Sequence, residues 1–273
     1  RRNEIINIGV YFMEKKKLYA AIVGYGNRGQ VYGDYSLQCP DEFGVAAVID
    51  PKEFKLREAK ERYGLSDERL FYDFASFLKS GIECDFVINA TMDQFHYETT
   101  MEILGAGCDL LVEKPIVPNE KELLDIKNLA EKKGVRVFVC HVLRYSPFYT
   151  KIKEILNSGV IGKIMTMEMN EHVCRQHYLA SYDRGKWNSE DGCGSGFLLA
   201  KCCHDMDIMC WLNNASAPET VASMGGRCEF VKENMPKDAS EFCYECKYNK
   251  TCMYSAMHEY LDLHVMPFLV WDR

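Results

Sequence analysis

A chain of 273 residues, 47% hydrophobic and 27% charged, has the make-up of a globular protein with room for one large domain or two ordinary ones. Its net charge of −7, with no basic stretch to offset it, argues against nucleic acid as the main partner. No apolar run approaches the roughly 20 residues that a membrane-spanning helix needs, so no membrane partner is expected. Thirteen cysteines are an odd number spread along the whole chain. A disulfide scaffold would be short and loop-rich, so the expected setting is a reducing cytoplasm.

Residues 1–16 read as a leader or extra segment. Met13-Glu14-Lys15-Lys16-Lys17 looks like a natural start, and the apolar stretch Ile5 to Phe12 is too short for a signal peptide. From there the chain alternates strand and helix. Strand 18–23 leads to a helix over 28–38, and strand 45–49 leads to a charged helix over 52–63 closed by Gly64. A short strand at 70–72 precedes a helical turn at 74–79. Strand 85–90 leads to helix 96–105, strand 110–112 to helix 119–133, and strand 135–140 closes the set. Alternation at this spacing predicts crossover units and a doubly wound parallel sheet, and the continuously apolar strands suit a sheet covered on both faces. After residue 142 the rhythm changes. Residues 146–156 read as a helix and Ile161 to Glu171 as a strand with Ile164, Thr166, Glu168 and Asn170 on one face. An irregular stretch over 173–194 follows, then a helix over 197–212, a strand at 220–224 and a Cys-rich, loop-rich remainder. The expected division is a dinucleotide-binding domain over 17–142 and a substrate-binding and oligomerisation domain over 143–273, joined without a flexible linker and packed to form a cleft.

The chemistry-bearing positions follow the strands. Gly24-Tyr25-Gly26-Asn27-Arg28-Gly29 stands between the first strand and the first helix, and Asp50 ends the second strand. A lone G-x-G-x-x-G is weak evidence, but in this setting it predicts a dinucleotide site. The first Gly makes the turn, the second lets backbone N–H groups reach a pyrophosphate, and the third lets helix pack on strand. The helix N-terminus then favours the phosphate charge. Asp50 would accept bonds from ribose hydroxyls and repel a 2′-phosphate, which favours NAD over NADP, although Lys52 and Lys55 weaken that preference. Thr91, His96, Glu113 and Lys114 follow later strands and fall on the same sheet edge. Lys114, held before Pro115, is placed to orient a substrate hydroxyl and stabilise charge on its oxygen.

GYGNRG, ID at 49–50, NATMDQFH at 89–96 and LLVEKP at 110–115 together resemble the glucose–fructose oxidoreductase, inositol dehydrogenase and rhizopine-catabolism family (Gfo/Idh/MocA), over most of residues 17–224. The resemblance implies an N-terminal Rossmann domain and a C-terminal α+β domain on an open, mainly antiparallel sheet. That domain usually continues well beyond Arg273, so the second sheet is expected to be incomplete here; full-length members are homo-oligomers. The implied activity is hydride transfer between a nicotinamide cofactor and a sugar, polyol or related carbinol. By resemblance Lys114 contacts substrate, and Thr91, His96 and Glu113 lie near the nicotinamide and its ribose. His204 in Ala200-Lys201-Cys202-Cys203-His204-Asp205-Met206-Asp207 matches the family's histidine, which suits proton transfer at neutral pH. Ala200 stands where many members carry an aspartate. The segment looks like a KCCHDMD-type branch, in which Arg144, His177, Arg184, Trp187 and Lys201 are further candidates for gripping a carbohydrate.

Cys243, Cys246 and Cys252, with Cys228 or His258, leave three readings open: a structural Zn²⁺ site, part of an iron–sulfur site, or free cysteines. Two other functions also stay open. Some relatives oxidise a sugar transiently and hydrolyse a glycoside with no net redox change, and a non-catalytic NAD-binding sensor would tolerate the alanine at 200.

Overall fold

The computed structural model describes residues 16–213 and 215–265, so the expected leader lies outside the described residues apart from Lys16. The chain forms two compact units. The first runs through Glu113 and takes in Leu124–Val139; the second holds Lys114–Leu123 and everything from Cys140 onward.

The first unit is built on six strands: β1 (Leu18–Val23), β2 (Phe43–Ile49), β3 (Leu70–Phe71), β4 (Phe86–Asn89), β5 (Leu110–Val112) and β6 (Val137–Val139). All pair in parallel, in the order β3-β2-β1-β4-β5-β6. Helices α1 (Asn27–Gln38), α2 (Glu53–Tyr63), α3 (Phe74–Ser80), α4 (His96–Gly105) and α5 (Glu120–Lys133) make the crossovers. This is the doubly wound fold expected from the alternation. Every residue of β2 is buried, and Ile22, Val48, Ile88, Ile103, Leu104, Leu110 and Ile126 are nearly or wholly sequestered with it. The strand order reverses between β1 and β4, and in such sheets ligands bind at the carboxyl ends of the strands beside that switch.

Close backbone approach fixes the switch point. Gly24 has φ 86°, and a Cβ there would stand 2.7 Å from the Ala90 carbonyl oxygen. A Cβ on Gly29 would stand 2.2 Å from the Gly24 carbonyl oxygen. Both contacts are against backbone, which cannot step aside as a side-chain tip can. At the opposite edge of the sheet, charged pairs hold the strand entries. Asp85 accepts from Lys16 Nζ at 2.6 Å and from the Tyr19 N–H at 2.8 Å. Asp109 accepts from the Arg136 backbone N–H at 2.7 Å and from its guanidinium at 2.5 and 2.9 Å.

The second unit departs from the expectation. Its helices are α6 (Pro147–Asn157), α7 (Arg175–Tyr178), α8 (Glu190–Cys193) and α9 (Gly196–Leu212), with π-helical turns at Leu179–Asp183 and Met257–Asp262. Neither Ile161–Glu171 nor Thr220–Met224 forms a strand, and among the described residues the unit has no sheet. The first segment is extended enough for Asn170 Nδ2 to reach Glu168 Oε1 at 3.4 Å, two residues back. A strand exists only as a rung of a ladder, however, and neither segment finds one. Several of their apolar side chains stay exposed, Met165 at 86% and Val221 at 87%, while Ile164, Met167 and Met169 are half-buried. α6 and α9 pack together: Lys153 Nζ donates to the Trp211 and Leu212 carbonyls at 2.7 and 3.2 Å, satisfying the C-terminal end of α9. No helix among the described residues is long and apolar enough to cross a membrane.

Gly29→Ala should lose about 1–3 kcal/mol of stability, the usual cost of forcing a carbon into a filled site, and a urea titration measures it. The Arg136 hydrogen bonds hold the Asp109 carboxyl below its ordinary value. Such a group adds stability above the unfolded-state value and loses it as the pH falls through the folded one. Denaturation at stepped acidic pH should therefore show Asp109→Asn with a flatter acid-side decline than wild type.

Candidate functional site

In the first unit the β1–α1 turn is shaped for a phosphate. α1 begins with Gly26 as its cap, with no side-chain hydrogen bond to the cap and no acid in its first turn. A Cβ on Gly26 would meet nothing within 4 Å. The N–H groups and positive pole of α1 therefore stand uncovered by protein carboxylates, as pyrophosphate binding requires. Asp50, directly after β2, is buried and accepts from the N–H groups of Tyr25 at 2.8 Å and Lys52 at 2.9 Å. One bond per oxygen leaves acceptor capacity for ribose hydroxyls while fixing the carboxylate against the glycine turn. Lys55 is drawn to Glu58 at 3.1 Å. Tyr25 points into the core, wholly buried with its ring edge-on to Tyr63, and burial pushes its hydroxyl up to about 12.

Arg28 and Glu113 form a pair that spacing does not reveal. Arg28 Nε reaches Glu113 Oε1 at 2.5 Å, Tyr32 Oη donates to the same oxygen at 2.6 Å, and Arg28 Nη2 meets Tyr32 Oη at 2.7 Å. Glu113 is only 5% exposed, so this cluster ties the end of β5 to α1. Thr91 Oγ1 donates to Asn89 Oδ1 at 2.7 Å, and the buried His96 ring meets the Thr91 carbonyl at 3.1 Å. Asn89 in turn donates to the His96 carbonyl and to Thr100. Gly24–Gly29, Asp50, Thr91, His96 and Glu113 thus share one sheet edge, with His96 engaged in shaping the β4–α4 turn.

In the second unit a separate set gathers on α9. Lys114 Nζ donates to the Ala200 carbonyl at 2.8 Å. Lys201 Nζ pairs with Glu171 Oε1 at 2.8 Å. His177, on α7, lies in the field of Lys201 and Lys114; burial first, and then these two cations, hold its imidazole below its ordinary value. His177 is therefore neutral at neutral pH. The His204 ring packs edge-on to His141 at 6.1 Å between centroids. His141 Nε2 is 3.8 Å from Asp207 Oδ1, and Arg144 clamps the same carboxylate at 2.7 and 2.5 Å. His141 and Tyr32 escaped the sequence reading; each lies one short step from a motif residue, His141 just beyond β6 and Tyr32 four residues after Arg28.

The structure engages the other expected substrate residues with protein groups. Arg144 is held by Asp207. Arg184 donates to the Tyr254 carbonyl and, at 3.4 Å, to Tyr260 Oη. The Trp187 N–H bonds the Ser181 carbonyl at 3.1 Å. The zinc expectation is corrected: among the described residues no three His, Cys, Asp or Glu side chains are placed to hold a metal. Cys228, Cys243, Cys246 and Cys252 are free thiols. The Cys246 N–H bonds the Cys243 carbonyl, and Cys252 Sγ accepts from the Tyr254 N–H.

Sheet order, glycine turn and strand-end acid define a dinucleotide-binding Rossmann unit. The family model described as "Oxidoreductase family, NAD-binding Rossmann fold" matches residues 18–141, and the "GFO/IDH/MocA C-terminal domain" matches residues 149–248. The chain belongs to the Gfo/Idh/MocA oxidoreductase family. It is 27% identical over 194 residues to inositol 2-dehydrogenase/D-chiro-inositol 3-dehydrogenase of Lactiplantibacillus plantarum, which covers 71% of this chain and 51% of that one. It is 25% identical over 186 residues to the scyllo-inositol 2-dehydrogenase (NADP(+)) IolW of Bacillus subtilis, covering 68% and 49%. The chain thus spans about half the length of these curated relatives. In fold it is similar to the crystal structure of myo-inositol 2-dehydrogenase from Lactobacillus plantarum, with a TM-score of 0.63, 21% identity, and coverage of 73% and 57%.

Replacing Lys201 with Met removes one of the two cations beside His177. A proton NMR titration should show the His177 imidazole moving up toward its ordinary value in Lys201→Met; an unmoved titration would mean that burial alone sets it.

Proposed function

We propose that this chain is an NAD(H)-dependent oxidoreductase acting on a carbinol carbon of a polyol or sugar. The observation that carries the reading is the β1–α1 turn, where an uncapped helix N-terminus, an open Gly26 and an anchored Asp50 fit the pyrophosphate and adenosine ribose of NAD. When bound, the nicotinamide supplies the hydride acceptor or donor. The Asp50 carboxylate disfavours a 2′-phosphate, so NAD is the proposed cofactor and NADP the weaker one. Gly24 to Gly29 hold the phosphates, while Thr91, His96 and Glu113 line the same edge. The Arg28–Glu113 pair keeps that acid oriented.

Lys114 follows Glu113 directly in the chain. Its Nζ, steadied by the Ala200 carbonyl, orients the substrate oxygen and stabilises the negative charge that grows on it as the O–H proton leaves. The His204 imidazole takes the hydroxyl proton during oxidation and returns it during reduction. His141, Asp207 and Arg144 form the packing behind that ring and fix its position on α9. The inositol dehydrogenase relatives make polyols the first substrates to try, and a small carbohydrate or polyol is the proposed partner.

The test is a spectrophotometric assay with NAD and a panel of inositols, pentoses and hexoses. Lys114→Ala and His204→Ala should each lower kcat by about 100-fold or more, the usual worth of a positioned acid–base group, while NAD affinity stays within about twofold, since neither touches the phosphate turn. Release of free sugar from a glycoside without net NADH would replace net oxidation by redox-assisted hydrolysis. Variants that match wild type in every assay would leave a sensor as the better account.

A further inference from the structure

A metal site needs several ligands about one point, and the Cys-rich segment does not supply them among the described residues. A disulfide needs only two thiols. Cys243 and Cys246 are the ends of one hydrogen-bonded turn, in which the Cys246 N–H donates to the Cys243 carbonyl at 3.3 Å. Such a turn brings its end Cα atoms to within about 7 Å, and a disulfide spans about 4.4–6.8 Å between Cα atoms. Burial follows the same spacing. Cys243 and Cys246 are half-buried, while Phe242, Tyr244, Glu245 and Lys247 around them are exposed, so both thiols lie on the inner side of the turn. Contacts from beyond the turn clasp it. Ser240 Oγ donates to the Glu245 carbonyl at 3.2 Å, Tyr248 Oη donates to the Lys237 carbonyl at 3.1 Å, and Lys247 Nζ pairs with Asp238 at 3.2 Å. Residues 237–240 and 245–248 are thereby tied to each other across the turn. Phe242 and Tyr244 stack at 5.6 Å between ring centroids and stay exposed on either side of Cys243, so the turn is open to solvent. Cys252, the next thiol along the chain, is engaged elsewhere, its Sγ accepting from the Tyr254 N–H at 3.4 Å.

We propose that Cys243 and Cys246 form a reversible dithiol–disulfide site that exchanges electrons with small-molecule disulfides. One of the two cysteines, as its thiolate, attacks a sulfur of the small-molecule disulfide; a mixed disulfide forms and one small thiolate leaves. The other cysteine then attacks the mixed disulfide at the protein sulfur, closing the Cys243–Cys246 bond and expelling the second small thiolate. Two electrons pass from the cysteine pair to the small-molecule disulfide, and the two cysteine protons end on the two thiols released. The second step is intramolecular, so its effective concentration depends on how closely the turn already holds the two sulfurs. The clasping contacts hold the turn in the reduced chain, and closure therefore spends little chain entropy. Openness to solvent makes the bond accessible to reductant, which suits a site that cycles rather than a permanent structural link.

The test equilibrates the full purified chain with graded mixtures of glutathione and glutathione disulfide, blocks the remaining thiols, and digests with trypsin. Cleavage after Lys237 and Lys247 releases a fragment that holds Cys243 and Cys246 and no other cysteine. Mass spectrometry should find this fragment unblocked and lighter by two hydrogen atoms, and a dithiol reductant should return both thiols. A synthetic peptide of residues 238–247 is the reference for an unclasped pair. In the chain, half-oxidation should fall at a [GSH]²/[GSSG] about tenfold higher than in the peptide, because the held turn raises the effective concentration of one thiol at the other. Cys243→Ser and Cys246→Ser should each stop at a mixed disulfide with glutathione, and Cys252→Ser should leave the oxidation unchanged. A pair that oxidises no more readily in the chain than in the free peptide overturns the proposal, since the fold would then hold the thiols apart. So does a Cys243 or Cys246 that bridges to some other cysteine instead.

Discussion

The turn from β1 to α1 closes so tightly that two of its residues can carry no Cβ, and the functional edge of the first unit follows from that closure. Gly29 lies against the Gly24 carbonyl, and Gly24 against Ala90 at the end of β4. The contact brings the start of α1 onto the carboxyl ends of β1 and β4, where the strand order reverses. Asp50 then locks the turn from the β2 side by accepting the Tyr25 N–H, and Arg28 locks it from the β5 side through Glu113. Three strand ends are thereby fixed to one glycine turn. A binding edge made this way needs no induced order, which keeps the entropic cost of holding a long, flexible dinucleotide low.

The second unit solves a different problem. Its polar groups sit on one helix, α9, and are arranged in two sets by helical phase. His204 and Asp207 belong with His141 and Arg144, a set held together by the bidentate Arg144–Asp207 pair. Lys201 pairs with Glu171, and in this part of the unit burial, followed by like charges, holds the Asp205 carboxyl above and the His177 imidazole below their ordinary values. Perturbed carboxyl and imidazole groups are a frequent mark of a functional site.

Much of this was legible in the sequence where structure is local. Strand and helix alternate at a spacing that only a parallel sheet satisfies, and G-x-G-x-x-G, Asp50 and Glu113 occur at predictable strand ends. The strands expected at Ile161–Glu171 and Thr220–Met224 were not, because alternation shows which face a residue would take but not whether a neighbour is present to pair with. The cysteine spacing misled for a similar reason: closeness in sequence does not by itself gather thiols around one point, and among the described residues it does not. The Arg28–Glu113 and Arg144–Asp207 pairs join positions far apart in the chain, and no local pattern encodes them. Arg144 and Arg184, expected by resemblance to grip a ligand, are each engaged by a protein partner.

The measurement that bears most directly on the account is native mass spectrometry of the purified chain titrated with NAD(H) and NADP(H). The account predicts one nucleotide per chain, with NAD(H) held more tightly than NADP(H). A folded chain that takes up neither nucleotide would contradict it, because the β1–α1 turn would then have its shape for some purpose other than binding a dinucleotide.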